Sequence, residues 1–250
     1  MTVFVITFLL GCLSVMTVRG RKGNWPAGMP VARPRLVAVG GTYEGTRGRP
    51  SDAYVVQERL IAAASGAVGA EAAHPAAALA LGAVVTERPQ HAGTMERDLR
   101  ACAQAAHRAV RAAALRDPAS PELASTLDLV VLDRTEIPQL RYAHIGDGGI
   151  WHCPKGGEPR LITTAWRGMG PRGVGLPAAE PEIGTLMLRP GDRIALVSDG
   201  AVRALGEGRM KQLLGGGASP SACLDRLYDE MAAVEPKDDA TVVAAEFVTA

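Results

Sequence analysis

Two stretches toward the C-terminal end carry the residues best suited to chemistry. Gly191-Asp192-Arg193-Ile194-Ala195-Leu196-Val197-Ser198-Asp199-Gly200 sets Asp199 just after an apolar strand, and Lys237-Asp238-Asp239-Ala240-Thr241-Val242-Val243 sets Asp238 just before another. A carboxylate at the rim of a buried strand is costly unless something uses its charge. Carboxylates are hard oxygen ligands suited to Mg²⁺ or Mn²⁺. If the two strands are neighbours, Asp199 and Asp238 meet, and the pair is a candidate metal site for phosphoryl chemistry. Nucleophilic chemistry is poorly supported: there is no G-x-S-x-G elbow or phosphate loop, and Ser198 has no obvious base. His74, His91 and His107 lack mutual metal spacing and read as structural. His144 and His152 also read as structural, and they are expected to face each other across a hairpin.

These residues need a scaffold. The 250 residues are enough for one large domain with a substantial core. Hydrophobic residues make up 47% and charged residues 21%, an ordinary globular composition, while aromatics at 4% leave the core to Ala, Val and Leu. A net charge of +1 gives no concentrated basic footprint for nucleic acid. Cys12, Cys102, Cys153 and Cys223 form no C-x-x-C pair and read as free thiols in a reducing compartment.

Met1 to Val18 is apolar and uncharged, and Arg19, Arg21 and Lys22 follow it. A secretory signal carries its positive charge before the apolar run, not after it. The segment reads either as a membrane tether that keeps the domain cytoplasmic or as a misassigned start, with Met16 or Met29 the first residue. Residues 19–34 are a Gly- and Pro-punctuated linker, and 35–250 the folded domain.

Within that domain, strands are expected at Leu36–Val39 (ended by Gly40-Gly41), Ala53–Val56, Leu60–Ala63, Thr126–Asp133, Leu140–Ile145, Ile150–Cys153, Pro159–Thr163, Glu182–Leu188, Arg193–Val197 and Ala240–Val248. Ile150–Cys153 is expected to pair back on Leu140–Ile145 through a turn at Gly148-Gly149. Helices are expected over Ala70–Val85, Met95–Leu115 and Ala218–Val234. A Gly- and Pro-rich loop spans Trp166 to Pro177. Helices gathered in blocks, with tight turns between strands, argue for an α+β fold with largely antiparallel sheets.

The order of motifs resembles the metal-dependent PPM (PP2C-like) protein phosphatases from about Val37 to Val248. Leu188 to Gly200 resembles the family's Pro-Gly-Asp, apolar strand, Ser-Asp-Gly signature. Lys237 to Val243 resembles its terminal aspartate strand. Tyr142 to Asp147 resembles its Gly-Asp-Ser hairpin, with Gly148 in place of Ser. The resemblance implies a four-layer α/β/β/α sandwich with two central, mainly antiparallel sheets. It also implies Mn²⁺- or Mg²⁺-dependent hydrolysis of phosphoserine and phosphothreonine in a phosphorylated protein substrate.

The N-terminal motifs depart from the family pattern. Arg47-Gly48-Arg49-Pro50-Ser51-Asp52 keeps the first Arg and last Asp of the opening motif, with Pro50 and Ser51 replacing its middle pair. In Ala62 to Gly69, Ser65 stands where the resemblance puts an Asp that bridges two metals. Carried over residue by residue, the resemblance makes Asp199, Asp238, Asp52 and Asp147 metal-site residues, adds the Gly66 backbone carbonyl, and gives Arg47 the phosphate. Two-metal sites hold their ions about 3.5–4 Å apart, and an uncharged Ser65 cannot offset the repulsion between them, so one ion is expected rather than two. Asp239 reads as a residue shaping the strand start, and the loop Gly168–Gly175 either covers the site as a flap or is a plain loop. The enzymatic reading is a weakened phosphatase. The alternative is an inactive pseudophosphatase that binds a phosphoprotein or regulator through the same cleft.

Overall fold

Several of the apolar runs do not alternate with polar residues, and their burial explains why. Leu60, Ala62 and Ala64 point to one apolar cluster while Ile61 and Ala63 point to another. The same period of two sets Leu127, Leu129 and Val131 against Val130 and Leu132. It recurs again at Ala195 and Val197 against Ile194 and Leu196. Strands buried on both faces read as continuous apolar runs. Each sheet therefore lies between its partner sheet and a helical layer.

The computed structural model describes residues 33–48, 50–66, 73–87, 95–117, 122–133, 139–164, 172–177, 179–216 and 219–249, and residues 33–249 cluster as one unit. The strands are β1 (Pro34–Tyr43), β2 (Asp52–Val56), β3 (Leu60–Ser65), β4 (Leu127–Leu132), β5 (Gln139–Ile145), β6 (Gly149–Cys153), β7 (Arg160–Leu161), β8 (Glu182–Met187), β9 (Arg193–Val197) and β10 (Ala240–Thr249). The helices are α1 (Ala73–Glu87), α2 (Met95–Arg116), α3 (Asp199–Leu205), α4 (Glu207–Gly215) and α5 (Pro220–Val234). One five-stranded sheet runs β1-β10-β9-β6-β7 and the other β2-β3-β4-β5-β8. All their pairings are antiparallel. Helices α1 and α2 cover the second sheet, and α3 to α5 cover the first. This is the expected four-layer α+β sandwich.

The helical layers are built from small side chains. Along α1, Ala73, Ala76, Ala77, Ala80, Leu81 and Val84 are buried at helical spacing. Along α2 the buried set is Leu99, Cys102, Ala103, Ala106, Val110 and Ala114. Between the sheets, Leu36, Leu140, Ile150, Val243, Ala245 and Phe247 join the inward residues already named. Cys102, Cys153 and Cys223 are buried free thiols, and burial pushes Cys102 and Cys153 up to about 12. Cys12 lies outside the described residues.

Three expectations are corrected. β1 does not stop at Gly40-Gly41 but runs to Tyr43 along β10. A Cβ at Gly40 would stand 2.7 Å from the Tyr54 ring, and one at Gly41 1.8 Å from the Tyr228 hydroxyl, so these glycines make room for rings inside a strand. Ile150–Cys153 does not pair back on Leu140–Ile145. Both edges of β5 are taken, by β4 and β8, so the chain crosses at Gly146–Gly148 into the other sheet, where β6 pairs with β9 and β7. His144 and His152 accordingly lie in different sheets and do not face each other: His144 Nδ1 meets Asp128 Oδ1 at 2.6 Å and His152 Nε2 meets Asp192 Oδ2 at 3.1 Å. Two short helices, α3 and α4, occupy a stretch where no helix was expected.

The readings of Met1–Val18 and of the linker as far as residue 32 fall outside the described residues, as do residues 70–72 of the first expected helix. Among the described residues, no helix is long and apolar enough to cross a membrane.

Candidate metal centre

Strands β9 and β10 are neighbours, with Val197 opposite Val242, so the two rim aspartates come from adjacent strand ends. Ser198 knits the ends together: its N–H donates to the Thr241 carbonyl at 2.9 Å and its Oγ accepts from the Thr241 N–H at 2.9 Å. Helix α3 then starts at Asp199. A Cβ on Gly200 would stand 2.0 Å from the Asp239 carbonyl oxygen. Only glycine permits that approach, which brings the start of α3 against the Asp238-Asp239 turn.

The segment carrying Arg47 is fastened to the same turn. The N–H groups of Thr46 and Arg47 donate to the carbonyls of Pro236 and Lys237 at 2.9 and 3.2 Å. The Asp239 carboxylate spans the segment, accepting from the Gly45 N–H at 3.0 Å and the Ser51 N–H at 2.8 Å. Asp239 thus does more than shape the strand start: it clamps the loop between β1 and β2. A Cβ on Gly45 would lie 2.4 Å from the Asp238 carbonyl carbon, so this loop too sits tight on the turn.

The structure brings Asp147, Asp199 and Asp238 to one locus, from the crossover after β5, the start of α3 and the approach to β10. They share a residue that was not singled out from sequence, Arg203. Its Nη2 pairs with Asp199 Oδ2 and lies 3.5 Å from Asp147 Oδ2, and its Nη1 lies 3.5 Å from Asp238 Oδ2. Arg47 Nη1 also pairs with Asp238, through Oδ1. Both arginines are exposed. The motif Ser198-Asp199-Gly200 followed by a basic residue one helical turn past Asp199 is the signal that would have pointed to Arg203, but it is informative only once α3 is known to exist.

Asp52 is buried at the start of β2, directly opposite Ser65 in the β2–β3 register. Its Oδ1 accepts from Ser51 Oγ at 3.0 Å, whereas Oδ2 has no hydrogen-bond donor among the described residues. Burial raises its pKa; the nearby hydroxyls of Ser65, Thr241 and Ser51 oppose the rise and the Asp239 charge adds to it. Asp199 is pushed up to about 6, first by burial and then by Asp147, with Asp52 adding and Arg203 and the Gly200 N–H opposing. Gly66 continues from Ser65, its N–H donating to the Ser51 carbonyl at 2.9 Å and its backbone bridged to Ser125.

The donor set fits a hard cation in kind. Three carboxylates already converge on one positive group, a fourth has an orphaned buried oxygen, and burial with mutual repulsion keeps Asp199 from its ordinary acidity. The fit is incomplete: among the described residues no three His, Cys, Asp or Glu side chains stand ready around a single ion position, and Ser65 brings no charge to the Asp52 side. Residues 168–171 of the expected flap lie outside the described residues. Its remainder is tied down, Val174 exchanging backbone hydrogen bonds with Ser125 at 2.8 and 3.1 Å and the Gly175 N–H donating to His107 Nδ1 at 3.1 Å.

Residues 69–248 match the family model described as Stage II sporulation protein E (SpoIIE). That match begins after the Arg47–Gly66 region. No curated protein matches the chain. Among solved structures, the chain is similar to the Mycobacterium tuberculosis serine/threonine phosphatase PstP/Ppp, at 22% identity and a TM-score of 0.75, over 85% of this chain and 98% of that one. It is similar to the catalytic domain of PstP in complex with two manganese ions, at 23% identity and a TM-score of 0.77, over 86% and 100%. It is also similar to PppA, a regulatory component of the type VI secretion system in Pseudomonas aeruginosa, at 19% identity and a TM-score of 0.73, over 86% and 100%. At these identities the likeness is one of fold.

Proposed function

The chain belongs to the SpoIIE family, with the fold of the PPM (PP2C-like) phosphatases, and on that premise we propose that it is a metal-dependent phosphoserine/phosphothreonine protein phosphatase with a weakened centre. The observation that carries this reading is the convergence of Asp147, Asp199 and Asp238, from three separate chain segments, on a single cationic group. In this reading Asp199 and Asp238 hold one Mn²⁺ or Mg²⁺, with Asp147 assisting and Asp52 and the Gly66 carbonyl on the adjoining side. Such an ion supplies Lewis-acid polarisation of the phosphoryl group and a lowered pKa for water.

The chain's own residues supply the rest. Arg47, exposed and held by backbone bonds at the rim, grips two phosphate oxygens with its planar guanidinium once it leaves Asp238. Asp239 fixes the loop that carries it. Asp52 Oδ2, buried and without a donor among the described residues, accepts a hydrogen from water and so orients it. Ser65 cannot balance a second ion, and the loss of such a ligand is expected to cost several kcal/mol in the transition state, at about 1.36 kcal/mol per tenfold of rate.

The test is hydrolysis of a small aryl phosphate with Mn²⁺ by the native chain, Asp199→Asn and Ser65→Asp. Asp199→Asn should abolish activity and Ser65→Asp should raise it. High native activity with a neutral Ser65→Asp would show that Ser65 does not occupy the bridging position. A second reading, an inactive pseudophosphatase that binds phosphoprotein, is favoured by Ser65 together with Pro50 and Ser51. Inactivity of all three proteins with retained phosphopeptide binding would establish it.

A further inference from the structure

The partners of Arg203 raise a question that the phosphatase reading leaves open. Its side chain is 61% exposed, and among the described residues its hydrogen bonds and ion pairs are with Asp147, Asp199 and Asp238. It is anchored one helical turn from Asp199, the spacing at which side chains on a helix meet. The guanidinium is a planar fork whose five donors spread over a wider span than the three donors of a compact lysine ammonium. Its hold is uneven: close to Asp199, but 3.5 Å from each of the other two carboxylates, so those keep accepting capacity. Resting on the metal-centre reading above, we infer that Arg203 is a built-in counter-ion of the acidic cluster, and that a divalent cation binds there only by displacing its guanidinium.

Without metal, Arg203 relieves repulsion among carboxylates that would otherwise face one another. With metal, it must move off, and its exposed stem lets it swing into solvent with little lost packing. The apparent affinity for the ion is therefore lowered by the free energy of the contacts broken. Exposed ion pairs are individually weak, so one close and two longer contacts correspond to about a tenfold reduction.

The experiment measures Mn²⁺ binding directly, from the loss of the free-ion electron paramagnetic resonance signal at low ionic strength. It uses the full chain, Arg203→Ala, Arg203→Lys and Asp199→Asn, with thermal melts in the absence of metal and at saturating Mn²⁺. Arg203→Ala should bind Mn²⁺ about tenfold more tightly than the native chain. Arg203→Lys, which keeps the charge but loses the fork, should fall between them. The metal-free melting temperature of Arg203→Ala should lie below the native value, and saturating Mn²⁺ should close the gap. Equal affinities for the native chain and Arg203→Ala would overturn displacement while leaving the metal centre standing. If no protein binds Mn²⁺ more tightly than Asp199→Asn, the metal-centre reading fails and this inference with it.

Discussion

Placing an aspartate at Ser65 should make the metal-free protein less stable and the metal-loaded one comparatively more stable. Ser65 is half-buried directly across the β2–β3 ladder from Asp52, which is 5% exposed. Side chains so paired have Cβ atoms about 5 Å apart. Two unit charges at that distance, at an effective dielectric constant of about 20, repel by roughly 3 kcal/mol. At about 2–4 °C per kcal/mol for a domain of this size, Ser65→Asp should melt roughly 6–12 °C below the native chain at pH 8 without metal. The penalty has a definite sign with pH. Asp52 already has a raised pKa in the fold, so the folded state binds its proton more tightly than the unfolded one does, and stability falls as pH rises from the unfolded value toward the folded value. The added carboxylate enlarges that loss, so the difference should shrink as pH is lowered toward the ordinary carboxylate range. Mn²⁺ at about a hundred times its dissociation constant would return roughly 2.7 kcal/mol. Melts with and without Mn²⁺ at several pH values test this. A metal-free variant as stable as the native chain, or equal Mn²⁺ shifts in both proteins, would refute the reasoning.

Other perturbations follow from the same structure. Asp239→Ala removes a carboxylate acceptor from the Gly45 and Ser51 N–H groups; at about 1.5 kcal/mol or more per charged hydrogen bond, the loss is about 3 kcal/mol, read as a melting drop of roughly 6–12 °C, and a drop below about 1 °C would contradict the clamp. Burial lowers the pKa of His144, but the charge and hydrogen bond of Asp128 more than reverse this, so its folded pKa lies above the ordinary 6.5. That pair contributes fully below the unfolded pKa and is lost as pH rises through the folded one; His144→Asn should therefore destabilise more at pH 6 than at pH 8.5, and a pH-independent difference in melts would refute it. In a Cys12→Ser chain, Cys102, Cys153 and Cys223, all buried with raised pKa values, should react with an aromatic disulfide at pH 8 only on unfolding, and prompt labelling would show the helical layers to be loose.

The strands were legible because two-faced burial writes them as unbroken apolar runs, as in Leu60–Ala64 and Ile194–Val197. Their partners were less so. Gly148-Gly149 looks like a hairpin turn locally, and only the occupation of both edges of β5 shows it to be a crossover. Gly40-Gly41 looks like a strand end until the rings of Tyr54 and Tyr228 are seen filling the space above it. Helices α3 and α4 carry weak signals: α3 spans only seven residues, and α4 contains glycine at Gly208 and Gly215. The aspartates of the candidate site stood out by motif, since they flank strands. Arg203 did not, because its relation to Asp199 depends on a helix, and its relations to Asp147 and Asp238 on tertiary packing.

The pairing of β1 with β10 along their whole length, Pro34 opposite Thr249 through Tyr43 opposite Ala240, has a bearing on biosynthesis. Residues made early and residues made late are neighbours, so the loop with Arg47 cannot be clamped by Asp239 until the end of the sheet has emerged from the ribosome. Contacts so distant in sequence form slowly, after local ones. A nascent chain stalled before β10 has its α1–α2 layer available to pack but lacks Asp238 and the Asp239 clamp. Any affinity of the proposed centre for a cation would then arise only once β10 has joined the sheet.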